Sequence, residues 1–240
     1  MYEVSANIKD AELINIPLPP TFQLDKQSIL ETIEQDLSVK LIFICSPNNP
    51  TGNLVTGIEG IVEKFNGIVI VDEAYIDFSP ESTKVPLINK YPNIIVLQTL
   101  SKAWGLAGIR VGFAFAQSEI IALLNKIKPP YNISLLNQQH AIEKLTRIDE
   151  FEAERNELLF ERDRLEKELL KLPTVQKIYP SDANFLLVEV TDANHVYNEL
   201  VNKKVIVRNR HTVIKNCIRI TVGTKQENNI LLTELKDISQ

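Results

Sequence analysis

Lys102 is the residue whose position first points to chemistry. It follows an apolar run at residues 94–97 that predicts a buried strand, and its neighbours are small or hydroxylated. An unpaired ammonium in apolar surroundings loses several kcal/mol of hydration, so a lysine there is expected to be neutral, paired or covalently engaged. Covalent engagement would make Lys102 a catalytic residue.

A carboxylate and a phenol follow the preceding strand. Asp72 comes directly after the apolar run at residues 68–71, and Tyr75 lies three residues further on. An aspartate after a strand is commonly a turn or helix cap. Beside a cationic heterocycle the pKa of its carboxyl would instead fall by roughly 1 to 3 units, and the carboxylate would keep a ring nitrogen protonated. Both interpretations stay open on these residues alone.

Three further residues could bind an anionic ligand. Asn49 lies in an Asn-Asn-Pro-Thr-Gly segment that is typical of a turn, but its amide could donate to a phenolate oxygen. Ser101 offers a hydroxyl, and Arg110 offers a guanidinium fork suited to a phosphate. Taken alone, Arg110 is equally typical of a solvated residue at the start of a strand.

The elements that must position these residues follow from three apolar runs rich in β-branched residues, at 41–45, 68–71 and 94–97. Such runs, separated by a helical segment or a loop, predict a mainly parallel sheet flanked by helices. Functional groups in these sheets gather at the carboxyl ends of the strands, which is where the residues described above lie. Residues 110–116 are predicted to form one more strand, and residues 12–17 another.

The rest of the pattern predicts a second, smaller unit. Helices are expected at 119–127 and 134–145, and a long helix with apolar residues spaced seven apart runs to Pro173. Strands at 185–190, 205–208 and 217–222 then alternate with helices at 193–201 and 226–235. We therefore predict an α/β protein with a large domain at 1–146, a connecting helix at 147–172 and a small C-terminal α/β domain at 173–240.

Composition excludes several classes of protein. The formal net charge of −5 argues against binding to a nucleic-acid backbone or an anionic membrane. Cys45 and Cys217 lie in apolar runs, which predicts buried thiols in a reducing compartment and hence a cytoplasmic protein. The histidines lack metal-site spacing, so no metal is expected, and no apolar run approaches the roughly 20 residues of a membrane helix.

Four motifs in order along the chain resemble the pyridoxal-phosphate-dependent aminotransferases of fold type I, class I/II, and most closely those that act on histidinol phosphate. They are Ser-Pro-Asn-Asn-Pro-Thr-Gly at 46–52, Val-Asp-Glu-Ala-Tyr-Ile-Asp-Phe at 71–78, Thr-Leu-Ser-Lys-Ala-Trp-Gly-Leu-Ala-Gly-Ile-Arg-Val-Gly at 99–112 and Ile-Arg-Ile-Thr-Val-Gly-Thr at 218–224. The resemblance implies pyridoxal 5'-phosphate as the cofactor and the fold type I architecture.

The resemblance also implies roles for the cofactor-binding residues. Lys102 would be the Schiff-base lysine and the catalytic base, and Asp72 would pair with the pyridine nitrogen. Asn49 and Tyr75 would donate to the ring's 3-oxygen. The cofactor phosphate would be held by two further residues, Ser101 and Arg110.

On the substrate side, Arg219 is implied to bind a substrate carboxylate and Arg208 the phosphate of histidinol phosphate. The implied reaction converts L-histidinol phosphate and 2-oxoglutarate into imidazole acetol phosphate and glutamate, in histidine biosynthesis, and the full-length family form would be a homodimer. Two alternatives stay open. One is an aminotransferase for aromatic amino acids, and the other is a non-catalytic aminotransferase-like ligand-binding module.

The family's chain extends further at its amino end than this one. Missing are a loop that gives backbone amides to the cofactor phosphate, an aromatic residue that stacks on the ring, and strands of the central sheet. We therefore expect an incomplete form of an aminotransferase whose open sheet exposes apolar surface.

Overall fold

The structure is a computed structural model that describes residues 2–79 and 83–238. The first half of the chain contains a four-stranded sheet with its helices. Its elements are α1 (Tyr2–Ile8), α2 (Lys26–Gln35), β1 (Leu41–Cys45), α3 (Glu59–Val62), β2 (Ile68–Asp72), β3 (Ile94–Thr99), β4 (Gly112–Phe115), α4 (Ser118–Ile127) and α5 (Leu135–Leu145). Short 3₁₀ turns at Ile76–Phe78, Val85–Asn89 and Ala107–Ile109 lie in the loops.

The strand order in this sheet is β1-β2-β3-β4. The first three strands are parallel, and β4 is antiparallel to β3. The prediction of a mainly parallel sheet is confirmed. The last strand reverses because the connection from Thr99 to Gly112 stays at one end of the sheet, and a parallel pair needs a crossover to the other end. The parallel register sets Cys45 beside Asp72, so these carboxyl ends are level.

The two faces of this sheet are covered unequally. On one face Val69, Val71, Ile94 and Val96 pack against Ile58 and its neighbours from the α3 region, and all of them are buried. On the other face Phe43 of β1, in register with Ile70 of β2, keeps 42% of its surface exposed. The expected exposure of apolar side chains is therefore present on this face.

The second half of the chain forms an antiparallel sheet with its own core. Its elements are α6 (Ile148–Leu169), β5 (Val175–Tyr179), β6 (Phe185–Val190), α7 (Ala193–Asn202), β7 (Arg208–Asn209), β8 (Cys217–Thr221) and α8 (Lys225–Ile238). The strand order is β5-β6-β8-β7. Leu165 and Leu169 of α6 lie in the same core as Leu200 of α7 and Leu235 of α8. This apolar stripe explains the heptad spacing in the sequence, because one face of α6 lies on a core.

Three short segments differ from the sequence-based predictions. Residues 12–17 are not a strand, since prolines at 17, 19 and 20 cannot donate to a ladder and leave this segment without a partner strand. Val175–Tyr179 is a strand that was not predicted, because its polar Gln176 and Lys177 mask the pattern of an edge strand. The predicted strand at 205–208 is reduced to Arg208–Asn209.

A seam of hydrogen bonds formed by Gly52, Leu54 and Asp182 joins the two halves. Asp182, in the turn between β5 and β6, donates its backbone N–H to the Gly52 carbonyl at 2.8 Å. Its carboxylate accepts the N–H of Leu54 at 2.9 Å. Gly52 has a φ of +87°, and a Cβ added there would lie 2.5 Å from Ser181 Oγ. The seam is therefore closed by backbone groups and the Asp182 carboxylate, with no room for a side chain at position 52.

Among residues 2–79 and 83–238, no helix is long and apolar enough to cross a membrane. The same residues contain no cluster of three or more histidine, cysteine, aspartate or glutamate side chains with the geometry of a metal site.

Candidate active site

Asp72 lies at the carboxyl end of β2, with both carboxylate oxygens engaged. Oδ1 accepts the N–H of Ala74 at 3.0 Å, which is the local capping contact that an aspartate after a strand favours. Oδ2 accepts the hydroxyl of Tyr2. Cys45 lies beside Asp72 in the parallel register, and burial together with the Asp72 charge raises the pKa of its thiol to about 12. The carboxylate at the end of β2 thus has one donor on each oxygen.

A chain of hydrogen bonds connects the two halves of the protein beyond the carboxyl ends of β1 and β2. Arg219 of β8 donates from Nη1 to the Asn49 side-chain oxygen at 2.7 Å. Asn49 in turn donates from Nδ2 to the Tyr75 hydroxyl at 3.2 Å. The Arg219 guanidinium also lies 4.9 Å from the centre of the Phe185 ring, a cation–π distance. The turn after β1, the loop after β2 and the second sheet thus converge here.

Lys102 lies against the same group. Its Nζ is 5.3 Å from the centre of the Tyr75 ring, and that tyrosine is itself buried. The side chain of Lys102 is exposed, so the expectation of burial was wrong. β3 ends at Thr99, and Lys102 lies in the loop beyond it, which opens away from the apolar layer. Proximity to Tyr75 rather than burial therefore marks this lysine.

Ser101 and Arg110 form a second pair in that loop. Arg110 donates from Nη1 to the Ala107 carbonyl at 3.0 Å and reaches Ser101 Oγ at 3.5 Å. Arg110 adopts a left-handed φ of 56°, which turns the chain just before β4 begins. The backbone N–H of Ser101 donates to Thr99 Oγ1 at 3.0 Å and so fixes the start of the loop. A hydroxyl and an exposed guanidinium are thereby presented side by side.

The second sheet contributes a group of arginines. Arg208 of β7 pairs with Arg219 of β8 across the ladder, and Arg210 follows two residues later. Burial, followed by the charges of Arg210 and Arg208, lowers the pKa of Arg219. The Nε atoms of Arg210 and Arg219 are buried and have no hydrogen-bond partner within the described parts of the chain. Two buried donors without acceptors are the signature of a site for an anion.

The structure thus brings Lys102, Tyr75, Asn49 and Arg219 together, with Asp72 at the neighbouring strand end and Ser101 paired with Arg110. Arg208 is exposed and adjoins the group through its pairing with Arg219. Sequence reasoning did not assign Tyr2 to this site. Nothing in the pattern of an isolated tyrosine, 70 residues from Asp72, signals that contact.

The class I and II aminotransferase family model matches residues 1–235. The chain belongs to the class I and II aminotransferases.

Within that family it belongs with the histidinol-phosphate aminotransferases. It is 51% identical over 240 residues to the histidinol-phosphate aminotransferase of Cytophaga hutchinsonii, and the match covers 98% of this chain and 68% of that protein.

Solved structures show the same fold. The histidinol-phosphate aminotransferase from Clostridium acetobutylicum superposes with a TM-score of 0.91 at 24% identity, over 99% of this chain and 74% of that one. The histidinol-phosphate aminotransferase from Sinorhizobium meliloti, solved in complex with pyridoxal-5'-phosphate, superposes with a TM-score of 0.87 at 22% identity. The match covers 99% of this chain and 67% of that one. At these identities the likeness establishes the fold type I architecture.

Pyridoxal phosphate is the cofactor of this family, and the residues of this chain fit it. Asp72 would supply a carboxylate that accepts from a protonated ring nitrogen, and Asn49 and Tyr75 would supply hydrogen-bonding groups for a phenolate oxygen. The Ser101–Arg110 pair supplies a hydroxyl and a guanidinium, the donor set that a phosphate requires. Lys102 supplies the primary amine for an aldehyde, beside Tyr75.

Proposed function

We propose that this protein transfers an amino group between L-histidinol phosphate and 2-oxoglutarate, giving imidazole acetol phosphate and glutamate, as a step of histidine biosynthesis. The observation that carries the proposal is the run of contacts from Arg219 through Asn49 to Tyr75, with Lys102 against the same tyrosine. It sets an anion-binding guanidinium, a pair of hydrogen-bonding groups and an amine around one space. A transamination needs all three within reach of one substrate.

The proposed cofactor contacts follow from the donor set. Asp72 holds the ring nitrogen protonated, Asn49 and Tyr75 hold the 3-oxygen, and Ser101 with Arg110 holds the phosphate. When bound, pyridoxal phosphate supplies the electron sink that stabilises negative charge at the substrate's α-carbon.

Lys102 is the proposed proton carrier. Its unprotonated amine takes the proton from the substrate's α-carbon and so acts as general base. The resulting ammonium then gives a proton back and so acts as general acid. The position against Tyr75 restricts where the amine points, because the flexible side chain rests on the ring face. The exposed side of Lys102 leaves room for a substrate to approach.

Arg219 and Arg208 are the proposed substrate-binding residues. The two substrates carry different anions, a phosphate on histidinol phosphate and carboxylates on 2-oxoglutarate. A guanidinium fork binds either anion through paired hydrogen bonds. The unused buried Nε of Arg219 and the adjoining charge of Arg208 favour a doubly charged group at this position.

The proposal is tested by assaying the purified chain with pyridoxal phosphate, L-histidinol phosphate and 2-oxoglutarate and measuring glutamate formation. Turnover that disappears in Lys102→Ala is the expected result. Phenylalanine as the only accepted amino donor would instead support the aromatic aminotransferase. Ligand binding without any turnover would support the non-catalytic module.

We further propose that the protein acts as a cytoplasmic homodimer. Large apolar side chains of α4 and α5 are exposed, including Ile127 at 80% and Leu136 at 75%, which favours contact with a second chain. Cys45 and Cys217 are free thiols, as a reducing compartment favours. Small-molecule substrates are the only other partners proposed.

We also propose a division of the chain into a large domain at 1–146, a connecting helix at 147–172 and a small domain at 173–240. Each of the two sheets has its own buried core, and α6 runs between them, which supports the division. Limited proteolysis that releases a stable fragment with an end between residues 147 and 172 is the expected outcome.

A further inference from the structure

Tyr2 is the residue that attaches α1 to the rest of the protein. Its hydroxyl donates to Asp72, and its ring stacks on Phe43 with the centres 4.7 Å apart and the planes inclined by 27°. α1 has no fully buried residue, and its apolar Val4 and Ile8 are exposed. The two contacts of Tyr2 therefore join α1 directly to the carboxylate at the end of β2.

The hydroxyl of Tyr2 keeps its proton and donates it in the hydrogen bond to Asp72. Burial, followed by the hydrogen bond to Asp72, raises the pKa of this phenol, so it stays protonated throughout the range in which proteins are stable. The second oxygen of Asp72 is fixed by the Ala74 N–H. One donor on each oxygen fixes the rotation of the carboxylate plane, and each oxygen keeps a lone pair for a further donor.

We propose that Tyr2 is a positioning residue for the cofactor: it holds the Asp72 carboxylate in the orientation that accepts the protonated ring nitrogen. This inference rests on the proposed role of Asp72. Phe43 supports the arrangement by holding the Tyr2 ring, so the sheet fixes both ends of the contact. The competing explanation is that Tyr2 only anchors α1 and has no effect on the cofactor.

The two explanations separate in a double-mutant cycle with pyridoxal phosphate as the probe. The four proteins are the unaltered chain, Tyr2→Phe, Asp72→Ala and the double variant. Tyr2→Phe keeps the ring on Phe43 and removes only the hydroxyl. The dissociation constant is measured by titration through the visible absorbance of the bound cofactor. Tyr131→Phe, at a tyrosine 94% exposed, is the matched control.

A positioning role predicts that Tyr2→Phe weakens cofactor binding about tenfold, since a hydrogen bond to a charged group is lost. In the Asp72→Ala background the same change should have no effect, because the acceptor is already gone. Tyr131→Phe should bind as the unaltered chain does. Unfolding temperatures of the cofactor-free proteins, measured in parallel, should be lower for Tyr2→Phe than for Tyr131→Phe, because the hydrogen bond to Asp72 exists without the cofactor; the positioning role is read from the binding cycle alone.

Other results would overturn the inference in distinguishable ways. Weaker binding in Asp72→Ala but not in Tyr2→Phe leaves the proposed function intact and removes the role of Tyr2. An equal loss from Tyr2→Phe in both backgrounds assigns Tyr2 to anchoring α1. Binding unchanged in Asp72→Ala, or no capture of pyridoxal phosphate by the unaltered chain, overturns the proposed cofactor site and the inference with it.

Discussion

Lys102, the proposed catalytic lysine, is distinguished by its position against Tyr75 and not by burial. The lysine is exposed, so a change there removes little packing, yet its Nζ lies against the Tyr75 ring at the centre of the site. We expect Lys102→Ala to change the free energy of unfolding by no more than about 0.5 kcal/mol. Loss of the proposed general base should lower turnover by a factor of about 10² to 10⁴.

Denaturant unfolding and glutamate formation measured on the same preparation check this expectation. Lys126→Ala, an exposed lysine of α4, is the control and should retain full activity. A Lys102→Ala protein with more than a tenth of the original turnover would contradict the assigned role.

The two thiols allow a prediction about pH. Burial raises the pKa of Cys45 to about 12 and that of Cys217 to about 11. At pH 8 only about one Cys45 thiol in ten thousand is therefore ionised, whereas an unfolded cysteine has a pKa of about 8.5. Because the thiolate is the reactive form, we expect slow modification of the folded protein by a thiol reagent and rapid modification in urea.

The sign of the effect on stability follows from the same values. Below about pH 8.5 the thiols are neutral in both the folded and the unfolded state, and their contribution to the free energy of unfolding is fully present. As pH rises toward 11 to 12 the unfolded state releases protons that the folded state keeps, so the free energy of unfolding falls. Equal modification rates for folded and unfolded protein at pH 8 would contradict the prediction.

At the scale of elements, Glu161 joins α6 to α8 through a buried polar network. Its carboxylate accepts from Arg164 Nη2 at 2.8 Å and from Asn228 Nδ2 at 3.0 Å. Asn228 in turn accepts the N–H of Gly223 at 3.0 Å, just before α8. These contacts, led by Arg164, lower the pKa of Glu161. The helix that carries the apolar stripe thus also fixes the start of the last helix.

We expect Glu161→Gln to destabilise the protein by about 1 to 3 kcal/mol, because a buried charge-assisted network loses its acceptor. A carboxyl with a lowered pKa stabilises the fold above its unfolded pKa and loses that contribution as pH falls through the folded pKa. The difference in free energy of unfolding between Glu161→Gln and the unaltered chain should therefore shrink in acid below about pH 4.

Urea unfolding at pH 7 and at pH 3.5 measures both effects. Glu157→Gln, on the exposed side of the same helix, is the matched control and should match the unaltered chain at both values. A Glu161→Gln protein as stable as this control at pH 7 would show that the network contributes nothing.

The elements also show what sequence can and cannot predict. The three parallel strands were predictable because each is a nearly continuous apolar run rich in β-branched residues. β5 was not, since half of an edge strand faces solvent and carries residues such as Lys177. The contact of Tyr2 with Asp72 depends on how α1 meets the sheet, which no local pattern encodes. Motif order identified the family, while distances within the site required the fold.

At the scale of the whole molecule, α4 and α5 present an exposed apolar surface. Its large side chains are Leu123, Ile127, Leu135 and Leu136. We expect the protein to associate as concentration rises and Leu136→Glu to weaken that association at least tenfold, because a charge would be buried in the contact.

Sedimentation equilibrium over a range of protein concentrations measures the association. Gln226→Glu adds the same charge to an exposed position of α8, outside α4 and α5, and is the control. Equal association of the two variants would mean that this surface is not the contact between chains.

Apart from the Asp182 carboxylate, the groups that form the seam between the two halves belong to the main chain, which nearly every residue type can provide. The Asp182 N–H and the Gly52 carbonyl are main-chain groups, and the Leu54 partner is a main-chain N–H as well. Substitution of the surrounding side chains therefore leaves the hydrogen bond from Arg219 to Asn49 unaltered. Positions 52 and 182 are the exceptions, since any side chain at 52 would collide with Ser181 and only an acceptor side chain at 182 can bind the Leu54 N–H. The tolerance of the site to sequence variation thus depends on two residues that have no proposed part in the chemistry.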